Sequence, residues 1–494
     1  MDVAVAQTLF LAVSLSCLMI FFVRQRMYQR DKLPPGPTPL PFIGNLLQIE
    51  TNGTGKALMK MSEKYGPVFR LYFGSQLTVV VCGYEAVKEA LVDQGEVFGG
   101  RGNMETFNQV LQGLGINLNN GENWRQIRQF SLLTLKNFGM GKKGIEERIQ
   151  EEAQFLVEEF RKTKELPFDP TFFFSQVVAN VICSIIFGNR FDYDDKEFLC
   201  LLQMINESFR LVSSIWGQLY NIFTSIMKYV PGPHHRISHC LESLEDYILK
   251  KVKQNQETLD LNNSRDFIDS FLIKIDQEKQ NPSSYFHMKN LTATVFSIFF
   301  AATETSSTTL RYGFLILLKY PEIEEKLHEE IDRIVSREHI PCMEDRSKMP
   351  YTNAVIHEIQ RFSDLLPIGA PHEVTKDTQF RGYTIPKGTQ VIPLLHSVLR
   401  DPTRFSDPES FNPGRFLDEK GNFKKNDAFM PFSAGKRICL GEGLARMELF
   451  LFFVSILQNF SLKSNTPPKD IDISPAVSNF SSFPHFYEIS FIPR

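Results

Sequence analysis

The chain has 494 residues, 43% hydrophobic and 22% charged, with 54 basic against 57 acidic side chains and 44 phenylalanines. This composition supplies a large core and excludes a disordered chain. A formal charge of −3 gives no overall basic field, so nucleic acid is not an expected partner. Seven cysteines without a CxxC pair do not resemble a disulfide framework and indicate a reducing compartment.

Val3 to Val23 is an apolar run of 21 residues without a charge, long enough as a helix to cross the roughly 30 Å hydrocarbon core once. Arg24, Arg26, Arg30 and Lys32 follow it, whereas the N-terminal side carries only Asp2. The positive-inside rule therefore puts the remainder in the cytoplasm. A cleavable signal peptide would want a basic start and a small-residue cleavage site, and neither is evident. The prolines of Pro34-Pro35-Gly36-Pro37-Thr38-Pro39-Leu40-Pro41 favour a stiff extended connector. The expected organisation is thus an N-terminal membrane anchor (1–23), a basic and proline-rich linker (24–41) and a single large domain (42–494).

Within that domain the patterns are mainly α with small β-sheets. A hairpin is predicted over Val68–Phe73 and Leu77–Cys82 around Gly74-Ser75, and a strand-rich stretch over Thr375–Ile392. Helical periodicity covers 146–164, 241–256, 287–319, 322–335 and 351–362. The pattern at 287–319 predicts a helix about 50 Å long, whose centre, Thr303-Glu304-Thr305-Ser306-Ser307-Thr308-Thr309, is too polar for a second membrane span. The apolar run Leu449–Leu457 is too short to span and reads as a buried helix.

The most informative stretch is Phe432-Ser433-Ala434-Gly435-Lys436-Arg437-Ile438-Cys439-Leu440-Gly441-Glu442-Gly443. A cysteine between glycines, just before a helical pattern, suits a thiolate ligand. The helix N-terminus favours the anion, and glycines let the backbone approach a flat group. A lone cysteine, taken by itself, is more often inert and buried. A phosphate loop fails, because Arg437 stands where Ser or Thr is needed. The whole string F-x-x-G-x-R-x-C-x-G resembles the haem-binding signature of the cytochrome P450 family, in which cysteine thiolate ligates haem iron. The resemblance implies that Cys439 is the axial metal ligand.

Other segments carry the same resemblance. Glu358-Ile359-Gln360-Arg361 with Arg415 of Phe411-Asn412-Pro413-Gly414-Arg415-Phe416 is similar to the family's Glu-Arg-Arg core triad. Phe300-Ala301-Ala302-Thr303-Glu304-Thr305 is similar to the oxygen-activation motif. It implies Thr305 and Glu304 as the catalytic proton relay and Ala301 beside the haem; Ala302 departs from the usual glycine. Trp124-Arg125-Gln126-Ile127-Arg128 resembles the W-x-x-x-R helix. Trp124 and Arg128, with Arg101, His372 and Arg437, would hold the two haem propionates.

The anchor, the proline segment and Gly382-Tyr383-Thr384-Ile385-Pro386-Lys387-Gly388-Thr389 look most like the microsomal family-2 group, which oxidises xenobiotics and lipids. By that likeness Asn117, Leu118, Phe209, Val212, Phe300, Ala301, Leu366, Ala370 and Phe480 would line a lipophilic substrate cavity. Arg125, Lys136, Lys142, Lys143, Lys436 and Arg446 would receive an acidic electron donor. The implied protein is a cytochrome P450 fold on the endoplasmic reticulum membrane, catalytic domain facing the cytoplasm. It would bind haem b and use O2, with NADPH electrons arriving from NADPH-cytochrome P450 reductase and with cytochrome b5 as a second donor the family allows. The chain has no G-x-G-x-x-G of its own. Two alternatives stand beside this monooxygenase reading: a haem-thiolate isomerase that rearranges peroxides, and a non-enzymatic haem- or lipid-binding membrane protein.

Overall fold

The computed structural model describes residues 32–50, 53–139 and 143–494. The expected anchor, most of the basic segment, Lys142 and the side chain of Lys143 lie outside the described residues. No helix among the described residues is long and apolar enough to cross a membrane.

The predicted hairpin forms as β1 (Val68–Phe73) and β2 (Gln76–Cys82), paired antiparallel from Val68↔Val81 to Phe73↔Gln76. β3 (Gly100–Arg101), β4 (His372–Glu373) and β5 (Gln390–Leu394) complete a five-stranded sheet in the order β1-β2-β5-β4-β3. Its far edge sets Arg101 directly opposite His372. Two residues distant in the chain thereby become neighbours. The proline segment runs along β1 rather than standing apart from it: Arg70 N donates to Pro35 O at 2.8 Å.

Helices dominate the rest: α1 (Gly121–Asn137), α2 (Lys143–Lys162), α3 (Thr171–Ile186), α4 (Lys196–Ser213), α5 (His235–Glu257), α6 (Met288–Lys319), α7 (Pro321–Ile334), α8 (Pro350–Ser363) and α9 (Glu442–Asn459). α6, with 32 residues, is capped by His287, whose Nδ1 accepts from Asn290 N. It crosses the core nearly fully buried. Many of its hydroxyls survive there by bonding a carbonyl of the preceding turn: Thr294 to Asn290, Ser297 to Ala293, Thr303 to Phe299 and Thr309 to Thr305. α3 packs along α6, with Phe174 stacked on Phe314 at 5.1 Å. The apolar run 449–457 lies in the buried part of α9, which also packs on α6, Phe453 meeting Phe314 at 5.0 Å.

Candidate active site

Cys439 sits in a loop whose shape is forced by close packing. Gly435 has φ +71°, and a Cβ there would meet Leu91 O at 1.8 Å. Only glycine fits this approach. A single 3₁₀ turn over Gly435–Arg437 follows, and Cys439 N donates to Phe432 O at 3.0 Å, folding the loop back on itself. α9 starts three residues later, so the amides of Gly441 and Glu442 point at the sulfur. The thiol is accessible from one side, where it forms part of a cavity wall, and is otherwise enclosed by protein. Burial pushes the isolated thiol up. The two amides and the Arg128 guanidinium oppose that shift and favour the anion.

The cavity, of about 330 Å³, has the Cys439 loop on one side and Ala301, Ala302 and Thr305 of α6 on another. Arg101, Trp124, Arg128, His372 and Arg437 also line it. Arg437 is held by Gly99 O, Asn119 O and Asn120 Oδ1, each at 2.9 Å, and lies over the Trp124 ring at 3.6 Å. Arg101 donates to Asn117 O at 3.1 Å and to Ala370 O and Pro371 O at 3.3 Å. Arg128 donates to Ile438 O. Among the described residues, Trp124 Nε1 and Arg437 Nη1 are buried without a partner. Orphaned buried donors are costly, by about 1–3 kcal/mol each and more for charged groups.

Burial and mutual repulsion push these cations toward neutrality. Arg437 is pushed down to about 8 by burial, with Arg101 and Arg128 adding to it; Arg101 is pushed down to about 10 by burial, with Arg128 adding. His372 Nδ1 lies 2.7 Å from Phe98 O and must donate to it, which leaves Nε2 as an acceptor in the neutral ring. Burial, then Arg101, lowers His372 to about 3. Three guanidiniums and an imidazole thus line one cavity, and their hydrogen-bond partners are carbonyl and amide oxygens rather than carboxylates. A bound dianion would satisfy the orphaned donors and oppose the depressed basicities. Together with a cysteine sulfur on the same cavity, this donor set fits a haem with its two propionates.

The remaining wall is apolar. Asn117, Leu118, Phe209, Phe300, Leu366, Ala370 and Phe480 all lie on it. Phe300 stacks on Phe209 at 4.4 Å and on Phe296 at 5.6 Å, and meets Phe107 edge-on at 5.3 Å. Phe107 and Phe296 were not expected from sequence. Phe296 could have been found one helical turn before Phe300; Phe107 carries no local signal. Val212 is not on the wall. It is fully buried at the end of α4, where the chain turns back and Gly217 approaches it so closely that a Cβ on the glycine would lie 2.7 Å from its Cα.

Thr305 lines the cavity with its hydroxyl donating to Ala301 O at 2.9 Å. Glu304, its neighbour, points elsewhere. Its Oε1 accepts from Asn206 Nδ2 and Thr308 Oγ1, both at 3.0 Å, while Oε2 is buried without a partner. Burial raises the Glu304 carboxyl, against the pull of Arg311 and of the two hydrogen bonds. The expected acid–alcohol pair is therefore adjacent in sequence but does not share a hydrogen bond or a wall.

The cytochrome P450 family model matches residues 34–488. The chain belongs to the cytochrome P450 family. It is 56% identical over 494 residues to cytochrome P450 2G1 of Oryctolagus cuniculus, covering 100% of both chains. It is 57% identical over 493 residues to cytochrome P450 2A13 of Homo sapiens, covering 99% of this chain and 100% of that one. Against cytochrome P450 2A5 of Mus musculus it is 58% identical over 480 residues, 97% of each. This family-2 P450 is accordingly a monooxygenase acting on lipophilic small molecules, with haem b as cofactor, O2 as co-substrate and NADPH electrons delivered through a reductase.

Proposed function

We propose that Cys439 would hold the haem iron through its thiolate, and that Arg101, Trp124, Arg128, His372 and Arg437 would hold the propionates. The observation that carries this reading is the pair of buried, unpartnered donors, Trp124 Nε1 and Arg437 Nη1, on the cavity that Cys439 also lines. Haem b supplies the redox-active iron at which O2 is reduced and one oxygen atom delivered. The chain's own task is to bind, orient and protonate. The amides of Gly441 and Glu442 favour the anionic form of the Cys439 sulfur against the cost of its burial. Thr305 Oγ1 accepts a hydrogen bond from water in the cavity and orders it. Glu304 stores a proton at Oε2, and releasing its bond to Asn206 lets that proton reach the water beside Thr305. Ala301 and Ala302 set how closely α6 approaches, the Ala302 methyl narrowing the space relative to glycine.

The substrate is an apolar molecule gripped by Phe107, Phe209, Phe296, Phe300 and Phe480 through shape and ring contact. Asn117 provides one of the few polar points on that wall. Product carrying heavy oxygen from labelled O2, dependent on NADPH and reductase, is the outcome this reading requires. Tight haem binding with no labelled product from a broad lipophilic panel would contradict it, and turnover of peroxides without NADPH would favour the isomerase alternative.

The reading also includes an anchor at 1–23, a linker at 24–41 and an endoplasmic reticulum location with the body facing the cytoplasm. Exposed apolar side chains support a membrane-facing side: Phe42, 92% exposed, with Leu40 and Leu47 near the proline segment, and Ile226 and Tyr229 beyond α4. Gly74 lies beside Phe42, Ile222 and Phe223, which brings these two segments together. Arg125, Lys136, Lys436 and Arg446 form a basic face for the reductase and for cytochrome b5. Some of that charge is spent locally, because Arg125 pairs with Glu122 at 3.0 Å, Arg446 with Glu442 at 2.9 Å, and Lys436 with Glu96.

A further inference from the structure

Away from the cavity, the loop joining α7 to α8 reads His339-Ile340-Pro341-Cys342-Met343-Glu344-Asp345. Its i, i+3, i+6 spacing turns three potential ligands onto one point. His339 Nε2 lies 3.0 Å from Asp345 Oδ2, Cys342 Sγ lies 3.2 Å from the same oxygen, and Sγ and Nε2 are 3.9 Å apart. Zinc bonds of about 2.3 Å to sulfur and 2.0–2.2 Å to nitrogen and oxygen, at tetrahedral angles, require ligand separations of about 3.4–3.6 Å. The observed triangle brackets those values. Each edge needs to change by only a few tenths of an ångström.

The loop is also fixed in place by its neighbours rather than by the three side chains alone. Gln458 of α9 donates to His339 O at 2.8 Å, Gln150 of α2 donates to Pro341 O at 2.8 Å, and Met343 N donates to Glu146 Oε1 of α2 at 2.6 Å. The backbone on either side of Cys342 is thus held, and ordering costs little on binding. Asp345 is buried, Cys342 is half-buried and the His339 side chain is 49% exposed, so the site opens to solvent on one side.

We propose that His339, Cys342 and Asp345 form a second metal site, taking a zinc-class divalent cation with three protein ligands and one open position. A thiolate and a carboxylate together neutralise a 2+ ion. Sulfur and imidazole select a borderline-soft ion over magnesium or calcium. On binding, the Cys342 proton leaves to solvent and the imidazole coordinates through Nε2 with its proton on Nδ1. The open fourth position takes water. Because Gln458 ties this loop to α9, occupancy braces the helix that begins beside Cys439.

The test uses the full-length, haem-loaded protein in detergent, washed with chelator and given one equivalent of zinc sulfate. Zinc-edge X-ray absorption is expected to show one sulfur at about 2.3 Å and nitrogen or oxygen at about 2.0–2.2 Å. Cys342→Ser is expected to remove the sulfur shell. His339→Ala is expected to weaken zinc at least about 10-fold, the minimum seen when even a supporting group around a metal is lost. Cys200→Ser, which alters another exposed thiol, leaves the shell intact. The carbonyl spectrum of the reduced haem reports folding of each variant, since none of these residues lines the haem cavity. A wild-type spectrum without sulfur, or a sulfur shell that persists in Cys342→Ser or vanishes in Cys200→Ser, would overturn the proposal. If a variant does not fold, the wild-type shell decides.

Discussion

Replacing Glu358 by alanine puts the largest electrostatic demand on the core. The Glu358 carboxylate receives Arg361 Nε at 2.7 Å and Nη2 at 2.8 Å, Arg415 Nε at 3.2 Å and Asn412 N at 2.9 Å. The side chains of Glu358 and Arg361 are fully buried, and that of Arg415 is 5% exposed. Without the carboxylate, Arg361 keeps only carbonyl partners in Leu399, Pro408 and Ser410, and Arg415 keeps Asp407 O together with Ser410. Two buried cations then face each other without a counter-ion. Breaking a buried pair in this way costs about 3–5 kcal/mol, a fifth or more of a typical total stability of about 5–15 kcal/mol. At about 1.4 kcal/mol per tenfold, the unfolded fraction rises roughly 140- to 4,000-fold. Denaturant titration of the haem-loaded protein should show a markedly lower midpoint with an unchanged slope. A midpoint within about 0.5 kcal/mol of wild type, the range of a neutral surface substitution, would refute the assignment of this triad as a buried charge network.

Three further outcomes are expected. Trp124→Phe keeps the ring beneath Arg437 but deletes the unpartnered N–H, and should accelerate haem transfer to an acceptor globin by roughly 10- to 100-fold, the equivalent of one charge-assisted hydrogen bond of about 1.5–3 kcal/mol; an unchanged rate would remove Trp124 from the propionate site. Thr305→Ala should divert NADPH consumption from product to peroxide while leaving the unfolding midpoint within about 1 kcal/mol, the worth of its bond to Ala301; unchanged stoichiometry would count against a protonation role. Gly435→Ala forces a Cβ onto Leu91 O and a left-handed backbone on alanine, and should cost at least about 2 kcal/mol, visible as poor haem incorporation; normal incorporation would show that the loop has room to move.

Much of the site was legible because it is local. The loop around Cys439 reads directly as a ligand presented at a helix start, and the polar centre of α6 marks where that helix meets the cavity. What escaped was set by contacts between distant parts of the chain. Glu304 turns away because Asn206 of α4 and Thr308 offer its Oε1 two donors, and nothing near residue 304 announces the position of residue 206. Val212 is lost from the wall for the same kind of reason, its surroundings being decided by a turn that folds Gly217 back over it. α3 went unread because it is buried on nearly every face, so it has no polar stripe and no period. Arg101 and His372 were named singly by resemblance, whereas their pairing across β3 and β4 belongs to the sheet register.

The account depends most directly on Cys439 as the iron ligand. The carbonyl complex of the reduced, full-length protein should show the long-wavelength Soret band of a thiolate-bound haem, and Cys439→Ser should lose that band while Cys200→Ser and Cys342→Ser keep it. A thiolate-type band that survives in Cys439→Ser would contradict it.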